Sequence, residues 1–241
     1  MTQQSLRLLA FDTSCEVTSV AVCAGGQVLA RDEAKTEARH AEVLLPKLRG
    51  CLSMAGLSLA DIDAIGVGVG PGSFTGVRVG VATAKGLGLA LQKPVLPVVS
   101  LEALALDARE HTSRAWIVAC LDAFKGELFA AVYRRTVEGI TLAHAPFHAP
   151  PEQVYARVAA VSGFDDQAFV GSGVYRYPAL RASLPDSVQC LDAALAAPSA
   201  GAIATLAAAA FARGEIPALA SIAPLYLRDS DAQLPKVPLR V

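Results

Sequence analysis

One short plan occurs twice in this chain, and it limits the folds open to it. RLLAFDTS at 7–14 is an apolar run ending in Asp12, and WIVACLDA at 116–123 is a second, ending in Asp122. Each leads through a turn into another strand-like run, TSVAVCAGG at 18–26 and, past Gly126, ELFAAVYR at 127–134. Later in each half an apolar stretch meets a glycine-rich turn, DAIGVGVG at 63–70 and QAFVGSGVYRY at 167–177. A strand–Asp–turn–strand unit repeated after about 110 residues implies two lobes built on one plan. In the first half QVLARDEAK at 27–35 follows the Gly25-Gly26 hairpin signal, so the opening reads as three antiparallel strands.

Helical spacing fills the intervals. EARHAEVLLPKLRGCLSMAGL at 37–57 places Ala41, Leu44, Leu48, Leu52 and Ala55 on one face, with Pro46 expected to kink the helix or shift its start. A short strand at 61–70, a helix at about 73–91 capped by Ser73, a strand at 94–100 and a helix at 100–109 capped by Ser100 follow. In the second half, 138–166 reads as a helix near 151–161 and little else, and a last helix is expected at 199–213. The expected class is α/β, a duplicated mixed sheet with flanking helices. The lobes are drawn at 1–110 and 111–228, and the prolines and charges of 229–241 argue for an extended tail.

GVGPGSFTGVRVG at 68–80 looks at first like a phosphate loop. It lacks the GxxxxGK[ST] spacing, and GxGxxG is met only in its first two glycines, so it is a weak nucleotide signature. Further on, Gly76, Gly80, Ala84 and Gly88 recur every four residues, a stripe that costs helix propensity and suits very close approach by another element. Val77, Val81 and Leu91 extend that surface, and Arg78 and Lys85 are its polar exceptions. The element approached is either internal or the helix at 37–57, in this chain or another.

Composition excludes several classes. The 241 residues are 53% apolar with a formal charge of −1, so no global basic field invites nucleic acid, and an RNA partner would need a local patch or another subunit. Five cysteines without a CxxC pair read as thiols of a reducing compartment, and the run at 200–212 is too short to cross a bilayer, so a cytoplasmic chain is expected. No HExxH, no GxSxG and no Cys–His arrangement is present, so no metal or catalytic residue is assigned. Asp12 and Asp122 at strand ends match the acids with which actin-like and sugar-kinase (ASKHA) folds address phosphate and metal, or else each holds its own turn. The glycine-rich phosphate hairpin such folds carry after the first acid is missing.

LLAFDTS at 8–14, His40 with Leu44-Leu45-Pro46, GVGPGSFTGVRVGVATAKGLGLA at 68–90, LDAFKGELFAAVY at 121–133 and PLYLR at 224–228 resemble the bacterial TsaB (YeaZ) family, non-peptidase homologues in the glycoprotease group. The resemblance runs from end to end and implies an actin-like two-lobe fold. It implies a role in forming threonylcarbamoyladenosine beside the anticodon of tRNAs reading codons that begin with A, as a non-catalytic platform for the transferase TsaD, with the ATPase TsaE as third member. TsaD holds its metal with two histidines four apart on the matching helix, whereas here only His40 remains and the second position is Leu44. The resemblance further implies that the helices at 37–57 and 73–91 dock on the equivalent pair of TsaD, or pair two copies in its absence. This makes His40, Leu44, Leu48, Leu52, Gly76, Val77, Gly80, Val81, Ala84 and Gly88 the expected interface, at or beneath the contact. No tightly bound cofactor is expected; ATP or ADP at the partner interface would meet Asp12, Thr13 and Arg78. The competing readings are a stand-alone ASKHA-type ATPase or kinase, and a protease.

Overall fold

A computed structural model describes residues 5–35, 39–163 and 165–228. The expected tail at 229–241, and residues 37 and 38 of the first expected helix, lie outside the described residues.

The repeated plan is realised as two five-stranded sheets of the same topology. β1 (Arg7–Asp12), β2 (Val17–Ala24) and β3 (Gln27–Lys35) form an antiparallel meander. β4 (Ala64–Gly68) and β5 (Val95–Val98) then add in parallel on the other side of β1, giving the order β3-β2-β1-β4-β5. The second sheet repeats this with β6 (Trp116–Phe124), β7 (Glu127–Arg135), β8 (Ile140–Ala149), β9 (Gln167–Val170) and β10 (Gln189–Cys190), ordered β10-β9-β6-β7-β8. β1 and β6 are the central strands, buried on both faces, which is why both read as unbroken apolar runs.

β8 corrects the expectation of a nearly empty 138–166. ITLAHAPFHA hides its strand character because it is a half-exposed edge with Pro146 inside it. Register shifts at Val132 let Ala145 and Pro146 bulge out of the ladder, where a missing N–H costs nothing.

Helices layer the sheets. α1 (His40–Met54) and α2 (Phe74–Leu91) cover the outer face of the first sheet, burying Leu44, Leu48, Cys51 and Leu52 against Leu9, Phe11, Val20 and Val67. α1 runs unbroken through Pro46, whose ring is exposed and whose missing N–H leaves the Glu42 carbonyl without its intrahelical donor. α3 (Ser100–Arg109) packs on β6 and β7, while α4 (Pro151–Ser162), α5 (Ser172–Arg176) and α6 (Pro178–Ser183) cover the far side of the second sheet. α7 (Ala200–Ala212) crosses back to the inner face of the first sheet, where Ile203, Ala204 and Ala207 meet Leu8, Ala10 and Leu96. α7 thus packs on the first sheet although it follows the second in the chain. The stretch 219–226 also returns, with Leu225 N donating to Val69 O at 2.8 Å and Lys85 Nζ to Ile222 O at 2.9 Å.

Ser199 caps α7 and ties it to α3, its N and Oγ donating to Asp107 at 3.0 and 2.9 Å. Burial pushes the Asp107 carboxyl up to about 6, against the two Ser199 bonds. The folded chain then holds its proton where the unfolded chain has lost it, so this group makes stability fall as pH rises from about 4 to about 6. Asp107→Asn should flatten that part of the profile, measured as urea-unfolding free energies of both proteins across the window.

Candidate functional site

The turn after β1 and the first turn of α2 are built against each other. Asp12 is buried; its Oδ1 accepts from Ser14 N at 2.7 Å and Ser14 Oγ at 2.6 Å, and its Oδ2 from Ser100 Oγ at 2.6 Å. Burial pushes its carboxyl upward, opposed by these bonds. Ser100 is the first residue of α3 rather than its cap; its hydroxyl also accepts from Gly70 N at 3.1 Å, so the side chain is committed to the Asp12 cluster. Thr13, fully buried, donates from Oγ1 to Gly76 O at 2.7 Å, and Ser73 N donates to Ser14 O at 2.6 Å.

The glycines of the block exist for this nesting. A Cβ on Gly72 would stand 2.1 Å from Ser14 O, one on Gly76 2.1 Å from Thr13 O, and one on Gly80 2.5 Å from Thr13 Oγ1. On Gly88 it would stand 2.5 Å from Val95 Cγ2, and on Gly68 1.8 Å from Asp12 Oδ2. The element approached by the stripe is thus internal. Of the residues expected at or beneath the contact, Leu44, Leu48, Leu52, Gly76, Val77, Gly80, Val81, Ala84 and Gly88 therefore lie beneath the outer surface of α1 and α2. All nine are buried in the chain's own core, because their phase on α1 and α2 points at the first sheet. His40 sits at the edge of that packing, its Nδ1 2.7 Å from Thr18 Oγ1 and its pKa lowered by burial.

Asp12, Thr13 and Arg78 do not converge on one nucleotide site. The first two are saturated by the internal contacts above, while Arg78 is exposed on the opposite side of α2, stacked 3.6 Å over the Phe74 ring with Nε donating to Tyr226 OH at 2.7 Å. Asp122 likewise holds its own corner. Its Oδ1 accepts from Phe124 N at 2.8 Å and Tyr177 OH at 2.6 Å, and its Oδ2 lies 3.0 Å from Arg176 Nε. Of the two strand-end acids, Asp12 is engaged on both oxygens by internal donors, while Asp122 holds its turn through Oδ1 and lines the cleft between the lobes. Removing the first, by Asp12→Ala, leaves three buried donors unpaired. It should lower the unfolding free energy by about 2–4 kcal/mol in chemical denaturation.

A cleft of about 330 Å³ separates the lobes, lined among others by Ser14, Cys15, Glu16, Lys35, Asp122 and Tyr175. A relay of ion pairs crosses it. Lys35 Nζ meets Glu16 Oε2 at 2.7 Å, and Glu16 Oε1 meets Arg176 Nη1 at 2.8 Å, joining the first lobe to α5 of the second. Lys35 and Arg176 hold the Glu16 carboxyl below its usual range. The Lys35 and Glu16 side chains are 72% and 48% exposed, so Lys35→Ala should change stability by less than about 1 kcal/mol in the same denaturation assay. Among the described residues no His, Cys, Asp or Glu cluster could hold a metal ion.

The solvent side of α1 and α2 carries features that sequence phase alone did not single out. Leu45, Pro46 and Met54 are exposed on α1, and Phe74, Arg78, Ala82 and Leu89 on α2. Gly50 and Gly86 lie mid-helix on these outer faces, and a Cβ on either would meet nothing within 4 Å. Each costs about 1 kcal/mol of helix propensity against alanine, with no internal contact to require it. The signal was present as a second small-residue series, Ala82, Gly86 and Ala90, in the opposite phase to the buried one.

The profile of the family described as TsaD: tRNA N6-adenosine threonylcarbamoyltransferase matches residues 33–236. The tRNA threonylcarbamoyladenosine biosynthesis protein TsaB of Escherichia coli is 34% identical over 94% of this chain and 96% of its own length. YeaZ from Pseudomonas aeruginosa superposes with a TM-score of 0.80 at 35% identity, covering 92% of this chain and all of that one. Component A of (R)-2-hydroxyglutaryl-CoA dehydratase from Acidaminococcus fermentans shares the fold alone, at a TM-score of 0.51 and 10% identity over 87% of this chain and 99% of that one. The duplicated topology is thus the actin-like, ASKHA-type α/β fold, and the chain belongs to the TsaB (YeaZ) family.

Proposed function

We propose that this chain acts in tRNA threonylcarbamoyladenosine biosynthesis as a non-catalytic subunit, docking a TsaD-type transferase on the outer face of α1 and α2. The observation that carries this reading is on α1. The transferase family places its second metal-binding histidine four residues after the first, and here that position is Leu44, 1% exposed in the core of the first lobe. A leucine side chain supplies no ligand, and His40 Nδ1 is engaged by Thr18. The solvent-facing glycines Gly50 and Gly86 support docking at the same helices, since they open room for the backbone of a neighbour. Leu44 and the buried stripe then act beneath the interface, setting how α1 and α2 lie on the sheet.

Transfer of the threonylcarbamoyl group to tRNA is assigned to the partner, and the TsaE ATPase acts with the pair. Nucleotide at the interface would have to be held by partner groups together with exposed residues of this chain. Partner binding should be micromolar or tighter, about −8 kcal/mol. The test feeds threonylcarbamoyl-adenylate to unmodified tRNA with TsaD and TsaE, with and without this chain, and with this chain alone. Modification only when TsaD and this chain are both present is the expected result. Modification by this chain alone would make it an enzyme, and no effect of its presence would remove it from the reaction.

A further inference from the structure

At the N-terminal end of α2 an arginine is held rigid with its working edge outward. Arg78 lies one turn after Phe74, its guanidinium 3.6 Å above that ring, and Tyr226 lies beside the pair with its hydroxyl accepting from Nε at 2.7 Å. The two rings stand 5.2 Å apart, so the returning segment and the helix hold each other as well as the arginine. Phe74, Arg78 and Tyr226 are all exposed. Among the described residues the two terminal nitrogens of Arg78 have no hydrogen-bond partner and no carboxylate pairs with it. A long flexible cation has been given a fixed direction before any ligand arrives, the condition under which a planar fork loses least on binding.

A guanidinium fork takes a carboxylate or a phosphate, and the surroundings choose between them. A nucleic-acid backbone is met by several clustered cations. Here the other cation of α2, Lys85, is spent on the carbonyls of Ala220 and Ile222. Around Arg78 lie Phe74, Val79 and Ala82, and along the same ridge Gly86 and Leu89. A single arginine among aromatic and small apolar residues is the composition of a protein-interface anchor. α2 contains no Asp or Glu, so the matching acid has to come from the docked subunit.

We infer that Arg78, pre-set by Phe74 and Tyr226, is the specificity anchor of the α1/α2 docking face and receives an aspartate or glutamate of the TsaD-type partner in a bidentate pair. The inference rests on the docking reading above. The small ridge from Ala82 to Leu89 supplies contact without register, because one small side chain resembles the next. The fork at its end fixes register, since a carboxylate one turn away would leave both charges unpaired in a desolvated contact.

The test titrates the full chain with the TsaD-type partner at low and moderate salt. Arg78→Lys keeps the charge and loses the fork and the stack, and should weaken binding at least tenfold. Tyr226→Phe should weaken it several-fold by freeing the arginine, with denaturation midpoints unchanged because the site is exposed. Ala82→Trp, which blocks the ridge sterically, serves as the reference for docking itself. If Ala82→Trp abolishes binding while Arg78→Lys and Arg78→Ala stay within twofold of wild type, the face is right and the anchor is overturned. If Ala82→Trp also binds normally, the docking reading itself falls. Loss of tRNA binding by the assembled complex at unchanged subunit affinity would make Arg78 a phosphate contact and overturn the inference. A change confined to self-association, seen by sedimentation, would overturn it in favour of a second copy of this chain.

Discussion

Gly76→Ala should cost the chain about 3 kcal/mol of unfolding free energy, and Gly86→Ala, ten residues along the same helix, should add up to about 1 kcal/mol. The chemical change is identical and the surroundings decide the sign. At Gly76 the new methyl would stand 2.1 Å from Thr13 O, a backbone atom tied into the Asp12 turn, so α2 would have to lift from the sheet. At Gly86 the methyl meets nothing within 4 Å, and the helix gains propensity. Gly80→Leu and Gly88→Leu belong with Gly76, since their Cβ atoms already stand 2.5 Å from Thr13 Oγ1 and Val95 Cγ2. Urea denaturation of the four variants checks the order. Similar gains at all four positions would mean that helix propensity, not nesting against the β1 turn, governs α2.

Ala82→Trp is expected to abolish threonylcarbamoyl transfer in the reconstituted system, by at least a hundredfold, while leaving the isolated chain as stable as wild type. Ala82 is exposed on the outer face of α2, so the indole has free space in the isolated chain. Against a neighbouring helix seated over Gly86 it would force the two apart by the thickness of a ring. Gly86→Ala should act in the same direction but weakly, raising stability while lowering partner affinity. Such opposed effects are the mark of a residue kept for contact rather than for folding. Retention of full activity by Ala82→Trp would move the docking site off this face.

Much of the architecture was legible because the chain states it twice. The apolar runs ending in Asp12 and Asp122 became β1 and β6, and the three-strand meander, α2 with its Ser73 cap and α7 fall where periodicity and capping put them. β8 escaped because an exposed edge strand needs no alternation and this one breaks its ladder around Pro146. Ser100 was misassigned because a serine at a helix start serves equally as a cap or as a donor to a distant acid, and Asp12 is 88 residues away. The solvent-facing small-residue series was obscured by α2 itself. Gly76, Gly80, Ala84 and Gly88 form one small-residue series and Ala82, Gly86 and Ala90 another, on opposite sides of one helix. Spacing cannot rank the two; Val77 and Val81 beside the first, buried with it, do so only once the sheet is in place.

The path of α7 sets an order of events during synthesis. The inner face of the first sheet, with Leu8, Ala10, Ala21 and Leu96, is covered by Ile203, Ala204 and Ala207. Ribosomes release those residues more than a hundred positions after β5 (Val95–Val98). At the usual elongation rate of about 5–20 residues per second, a nascent first sheet therefore waits several seconds with one apolar side open to water. A nascent chain arrested near residue 190 should bind trigger-factor-type chaperones, and one extended past 212 and clear of the exit tunnel should release them.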